Sequence, residues 1–136
     1  MKVGIINVTG YAGSELARIL YRHPEVEITS VTGRSAAGKR LPEAMPHLWQ
    51  IDLPITSAIE EPVDVVFSAL PSGASAEALA PLVERGVKAI DIAADFRIRD
   101  PKIFSMAYNV DHPAPQLLGS AVYGLPEIHR EAIKNT

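Results

Sequence analysis

A chain of 136 residues, 47% hydrophobic and 21% charged, has the length of one ordinary domain and enough apolar content for a single core, which excludes disordered and collagen-like classes. Its net charge of -3, with the basic residues scattered, gives no electrostatic ground for a nucleic-acid or membrane-surface partner. With no cysteine, these residues hold no disulfide, thiolate metal site or cysteine nucleophile. No apolar run approaches the roughly 20 residues of a membrane span, and Met1-Lys2-Val3 leads straight into a strand-like segment, so a cytoplasmic location is expected.

In chain order, Lys2 to Val8 is a short apolar, β-branched run, the pattern of a strand buried on both faces of a parallel sheet. After the turn Asn7 to Gly13, a helix is expected with Ala12, Leu16, Ile19, Leu20 and His23 on its apolar face, stopped by Pro24. Val26 to Val31 alternates as a second strand and completes a βαβ unit. Residues 36 to 62, with five prolines or glycines at Gly38, Pro42, Pro46, Pro54 and Pro62, read as an irregular excursion with room for one short helix. Trp49 within it packs either there or at an interface, with core packing as the first expectation.

Asp64 to Leu70 is the next buried-strand run, ended by Pro71-Ser72-Gly73. Ala76, Leu79, Leu82 and Val83 then form a helical stripe, kinked or bounded at Pro81 and closed by Gly86, before a further strand over Val87 to Ala93. Beyond Asp95 the pattern loosens, with Ala121-Val122-Tyr123 as an expected strand and Pro126 to Lys134 as a short helix. Strands alternating with helices predict an α/β domain of Rossmann type: a doubly wound, mainly parallel sheet with helices on both faces.

Such sheets bind ligands beyond the carboxyl ends of their strands, where the first strand-to-helix turn offers unpaired backbone N–H groups to a pyrophosphate. Here that turn is a G-x-x-G-x-x-G variant whose first position is Asn7, a residue type that tolerates left-handed backbone. Thr9, Gly10, Tyr11, Ala12 and Gly13 are therefore the candidate phosphate-binding residues, the glycines because no Cβ intervenes. A carboxylate at the end of the second strand would select the ribose 2′-hydroxyl, but the sequence there is Thr32-Gly33-Arg34-Ser35. Arg34 and Ser35 suit a 2′-phosphate, which makes NADP the expected cofactor. Leu70, Pro71, Ser72 and Gly73 are expected to line the cofactor's other side, with Ser72 capping the following helix.

The segments Thr9-Gly10-Tyr11-Ala12-Gly13-Ser14-Glu15-Leu16, His23-Pro24, Gly33-Arg34-Ser35 and Gly38-Lys39 resemble the start of N-acetyl-gamma-glutamyl-phosphate reductases. Asp91 to Arg97 resembles that family's D-x-S-A-D-F-R segment and Tyr123 to Glu127 its Y-G-L-P-E segment, so the resemblance covers essentially the whole chain. The chain departs from the pattern in Asn7, where the family usually has Gly, and in Ala93, where it has Ser. Aspartate-semialdehyde dehydrogenases belong to the same wider group.

The resemblance implies NADPH-dependent reduction of N-acetyl-glutamyl 5-phosphate to N-acetyl-glutamate 5-semialdehyde, with phosphate release, in arginine biosynthesis. It implies that a cysteine attacks the acyl phosphate, that the thioester accepts hydride, and that a histidine handles protons. The family's N-P-G-C segment follows the Y-G-L-P-E helix, so residues 1 to 136 are expected to be the cofactor-binding part alone, inactive by itself, with no catalytic residue of its own. Arg97 is the residue the resemblance assigns to the substrate phosphate, with pairing to Asp95 or Asp100 as its structural alternative. Tyr123 and Glu127 are expected to scaffold the junction with a second α/β domain, through which the full-length protein forms a homotetramer while this part stays monomeric. His23, His47, His112 and His129 lack ligand spacing, so no metal is expected. Two other readings fit these residues: a reductase of aminoadipyl phosphate or a carrier-linked substrate in lysine biosynthesis, and a non-catalytic NADP-binding sensor module.

Overall fold

The computed structural model describes residues 1–60 and 62–136; Glu61, within the excursion, lies outside them. In chain order the elements are β1 (Lys2–Ile6), α1 (Tyr11–Leu20), β2 (Glu27–Thr32), α2 (Leu41–Ala44), β3 (Ile55–Thr56), β4 (Val65–Ser68), α3 (Ala74–Glu84), β5 (Lys88–Asp91), α4 (Pro101–Tyr108) and α5 (Pro126–Lys134). All five strands run parallel in the order β3-β2-β1-β4-β5. The expected Rossmann-type α/β sheet is therefore present.

The two-residue period of β1 explains why two cores form. Val3 and Ile5 point into one cluster with Ala17 and Leu20 of α1 and with Val31, Leu41, Leu48 and Ile55. Ile6 points to the opposite face, where it meets Val66 of β4 and Leu79 and Leu82 of α3. The chain steps from β1 outward through β2 to β3, then returns across the sheet to β4 and steps the other way to β5. Right-handed crossovers in opposite directions place α1 and α3 on opposite faces.

Several local expectations are corrected. The buried face of α1 is Gly13, Ser14, Ala17 and Leu20; Ala12, Ile19 and His23 are exposed, because the helix sits one residue round from the expected stripe to bring Gly13 against the sheet. Trp49 is 68% exposed, while Leu48 and Ile51 take the interior positions on either side of it. Ala121-Val122-Tyr123 is coil: the sheet ends at β5, and the Ala121 carbonyl accepts from Arg99 Nη2 (3.0 Å) instead of a strand. Two elements were unanticipated. β3 completes the sheet edge through Ile55 and Thr56, and α4 is capped by Asp100, whose carboxylate accepts from the N–H groups of Lys102 and Ile103.

Candidate cofactor site

The ends of β1, β2 and β4 meet at Asn7. Its backbone is left-handed (φ 64°), its N–H donates to Thr32 Oγ1 (3.3 Å), and its side-chain Nδ2 donates to the Ala69 carbonyl (2.8 Å). Val8 N–H donates to the Thr32 carbonyl (2.8 Å), so the turn leaving β1 is fixed to the ends of both neighbouring strands. Asn at this position thus supplies the positive φ usually given by Gly and adds a bond that Gly cannot make.

From there the chain doubles back so closely that a Cβ on Gly13 would lie 2.2 Å from the Asn7 carbonyl oxygen. That approach sets the start of α1 directly beyond the end of β1. No side chain caps this helix and no acid occupies its first turn. Its leading N–H groups therefore point outward without intrahelical acceptors, beside the positive end of the helix dipole. Gly10 is the extended N-cap residue, Tyr11 opens the helix 99% exposed, Ala12 is exposed beside it, and Thr9 is half-buried.

The end of β2 is drawn onto the same turn: a Cβ on Gly33 would come within 3.1 Å of the Thr9 side chain. Arg34 and Ser35 follow at once, both exposed, in the short 3-10 turn Arg34–Ala36. None of the three ion pairs among the described residues (Glu15–Arg18, Arg40–Asp52, Glu131–Lys134) uses Arg34.

On the other side of Asn7, the chain leaves β4 through half-buried Leu70 and exposed Pro71 and Ser72 to Gly73, which has φ 89°. Here the expected cap is corrected. Ser72 Oγ does not cap α3; it accepts from Ala94 N–H (3.3 Å). The cap is Asp95, fully buried and 22 residues away from Gly73, whose carboxylate accepts from Gly73 N–H (2.8 and 3.0 Å) and Ala76 N–H (2.9 Å). A full charge at the helix N-terminus outcompetes a neutral hydroxyl because it also answers the dipole.

Arg97 is not paired with either carboxylate weighed for it: Asp95 is committed to α3 and Asp100 to α4. Its side chain is exposed and lines a cleft of about 250 Å³ with Phe96, Arg99, Tyr123 and His129. The cleft walls carry two guanidinium groups and no carboxylate, which suits an anion.

Sequence reading did not identify Asp91, at the end of β5. Its Oδ1 accepts from Ser75 Oγ (2.5 Å) and Ala93 N–H (3.0 Å), while Oδ2 is buried without a partner. Burial pushes this carboxyl above its ordinary range, against the lowering effect of those two hydrogen bonds. Asp91 and Asp95 both lie in the Asp91–Arg97 motif segment, but Ser75, Gly73 and Ala76, which they hold, lie 16 to 22 residues back, so the motif does not reveal what either carboxylate binds.

The family model for the semialdehyde dehydrogenase NAD-binding domain matches residues 2–136. The chain belongs to that family. Within it, the N-acetyl-gamma-glutamyl-phosphate reductase of Dehalococcoides mccartyi is 55% identical over 97% of this chain, and that of Laribacter hongkongensis 48% over 98%. The chain spans 39% and 40% of the lengths of these two curated relatives. Among solved structures, a Candida albicans aspartate semialdehyde dehydrogenase with NADP shares 26% identity at a TM-score of 0.64, matched over 74% of this chain and 31% of that one. Membership of a semialdehyde dehydrogenase family agrees with the resemblance read from the six motif segments.

Proposed function

We propose that the chain is the NADP-binding part of an N-acetyl-gamma-glutamyl-phosphate reductase, which reduces N-acetyl-glutamyl 5-phosphate to N-acetyl-glutamate 5-semialdehyde with release of phosphate, in arginine biosynthesis. The observation that carries the cofactor reading is the approach of Gly13 to the Asn7 carbonyl, which leaves an uncapped helix start at the carboxyl edge of the sheet. That arrangement accepts a pyrophosphate on backbone N–H groups without any side-chain charge. The relative solved with NADP supports the same cofactor here.

In this reading the backbone from Thr9 to Gly13 holds the pyrophosphate, and Arg34 with Ser35 holds the ribose 2′-phosphate, Arg34 being exposed directly after Gly33, which closes on Thr9, and outside the three ion pairs among the described residues. Leu70 to Gly73 line the other side of the cofactor. NADPH, when bound, supplies hydride. Arg97 anchors the phosphoryl group of the substrate from the cleft it shares with Arg99. The nucleophile comes from the remainder of the enzyme, since this chain has no cysteine.

That remainder is a second α/β domain that docks against apolar surface this chain leaves open, including Ile90 and Ile92 at the β5 edge, which are 47% and 48% exposed. The full-length enzyme is a cytoplasmic homotetramer assembled through that domain. The 136-residue chain alone binds cofactor, turns over nothing and is monomeric.

Fluorescence titration of the chain with NADPH and NADH tests the cofactor assignment: tighter binding of NADPH is expected, with most of the preference lost in Arg34→Ala. Equal affinity for both cofactors would sink the Arg34 role. Assay of the full-length protein with acetylglutamyl and aminoadipyl phosphates tests the substrate, and reduction of neither would overturn the reaction.

A further inference from the structure

We propose that His112, fixed as its neutral Nε2–H tautomer, is a positioning residue that joins with Asp95 to make the cofactor-side turn at Gly73 and the loop carrying Arg97 one rigid unit. The proposal rests on the reading of Arg97 as the phosphate anchor.

His112 is 6% exposed, with its ring edge-to-face against Phe104 (4.7 Å) and Phe96 (5.3 Å). Ala114 N–H lies 3.0 Å from Nδ1, and an amide N–H only donates, so Nδ1 is the bare nitrogen of the ring. The ring hydrogen is therefore on Nε2, which donates to the Asp95 carbonyl at 3.0 Å, an oxygen that only accepts. Both ring nitrogens are used and the tautomer is set by its neighbours.

The placement of that bond is what gives it a function. The same Asp95 whose carbonyl is held by His112 sends its carboxylate to the N–H groups of Gly73 and Ala76. Phe96, which packs on His112, is the single residue separating Asp95 from Arg97. Arg97 N–H in turn donates to the Ala94 carbonyl (3.0 Å), closing a turn around Asp95. The backbone of Arg97 is thus pinned from its N-terminal side while its guanidinium reaches the open cleft. A purely apolar residue in place of His112 would leave the buried Asp95 carbonyl without its donor.

The test is steady-state kinetics of the full-length reductase carrying His112→Phe, which keeps the packing ring and loses both hydrogen bonds, and His112→Gln, whose amide still donates to Asp95. In His112→Phe the KM for the acyl phosphate and the inhibition constant for inorganic phosphate are expected to rise by about tenfold, as for a misplaced binding group. The KM for NADPH moves less, and His112→Gln recovers most of the loss. Combined with Arg97→Lys, His112→Phe is expected to add little beyond the single variants.

An unchanged acyl-phosphate KM in His112→Phe, equal losses in Phe and Gln variants, or full additivity with Arg97→Lys would each overturn the proposal. If His112→Phe does not accumulate folded, His112→Leu, which likewise loses both hydrogen bonds, takes its place beside His112→Gln and in the cycle with Arg97→Lys, read by the same criteria. Failure of the underlying reading is separately visible: Arg97→Ala would then leave the acyl-phosphate KM and phosphate inhibition as they are in the unmodified enzyme.

Discussion

The carbonyl oxygen of Asn7 stands 2.2 Å from the position a Cβ on Gly13 would take, and the Cα of Val8 stands 2.9 Å from it. Both contacts are with backbone, which cannot swing aside as a side chain can. Gly13→Ala is therefore expected to destabilise the chain by about 1–3 kcal/mol, the range for overpacking against fixed neighbours. NADPH affinity falls with it, since the first-turn N–H groups move. Gly10→Ala meets the Asn7 side-chain amide at 3.0 Å and backbone only at an ordinary contact distance of 3.5 Å, and should cost less. Urea unfolding midpoints of the two variants give the comparison; indistinguishable midpoints contradict the packing argument.

Asn7 makes two separable contributions, a left-handed backbone and the bond from Nδ2 to Ala69. Asn7→Gly keeps the first and loses the second; Asn7→Ala loses both. The Ala variant is expected to be less stable than the Gly variant by about 1 kcal/mol, the scale of the left-handed penalty for a residue with a Cβ. Thermal melts check the order, and an Ala variant as stable as the Gly variant would show that φ at this position is not a constraint.

Asp91 gives a pH dependence whose sign follows from burial. Its folded-state pKa lies above the unfolded value near 3.8, raised first by desolvation. The stability it contributes is complete below the unfolded pKa and is lost as pH rises through the folded pKa. Asp91→Asn is expected to flatten this decline, so that the two proteins differ in slope across the range from the ordinary carboxylate pKa upward. Parallel stability–pH curves from chemical denaturation would remove Asp91 as the cause.

At the edge of the sheet, Ile90 is 47% exposed whereas Ile5 in β1 is fully buried. Ile90→Thr keeps the β-branched shape and is expected to change the chain's stability by about 0.5 kcal/mol or less. Ile5→Ala is expected to cost about 2–5 kcal/mol. In the full-length enzyme the first figure should grow if a second domain covers β5; calorimetry on both lengths measures the difference.

What was legible in the sequence lay where local chemistry is sufficient. The β-branched run of β1, the glycine spacing that starts α1, and the stripe Ala76, Leu79 and Leu82 of α3 with Gly86 after it (φ 85°) each carry their own signal over a few residues. α4 carried one too, Asp100-Pro101 at its start and left-handed Asn109 at its end, and it lay unread in the looser tail. β3 had none: two residues after Pro54 become strand only because Thr32 and Val31 offer a free edge and Lys39 supplies the carbonyl for Ile55 N–H.

By itself, the sequence determined the alternation of parallel strands and helices and the glycine turn that leads from β1 into α1, because periodicity, β-branching and missing Cβ atoms act within one or two turns of chain. Only the tertiary structure decided what joins those parts. Asp95 rather than Ser72 caps α3, Asn7 ties three strand ends together, Trp49 stays outside, and His112 meets the Asp95 carbonyl. These partners lie far apart in sequence, and whether a side chain caps, braces or faces solvent depends on which competing group the fold brings closer.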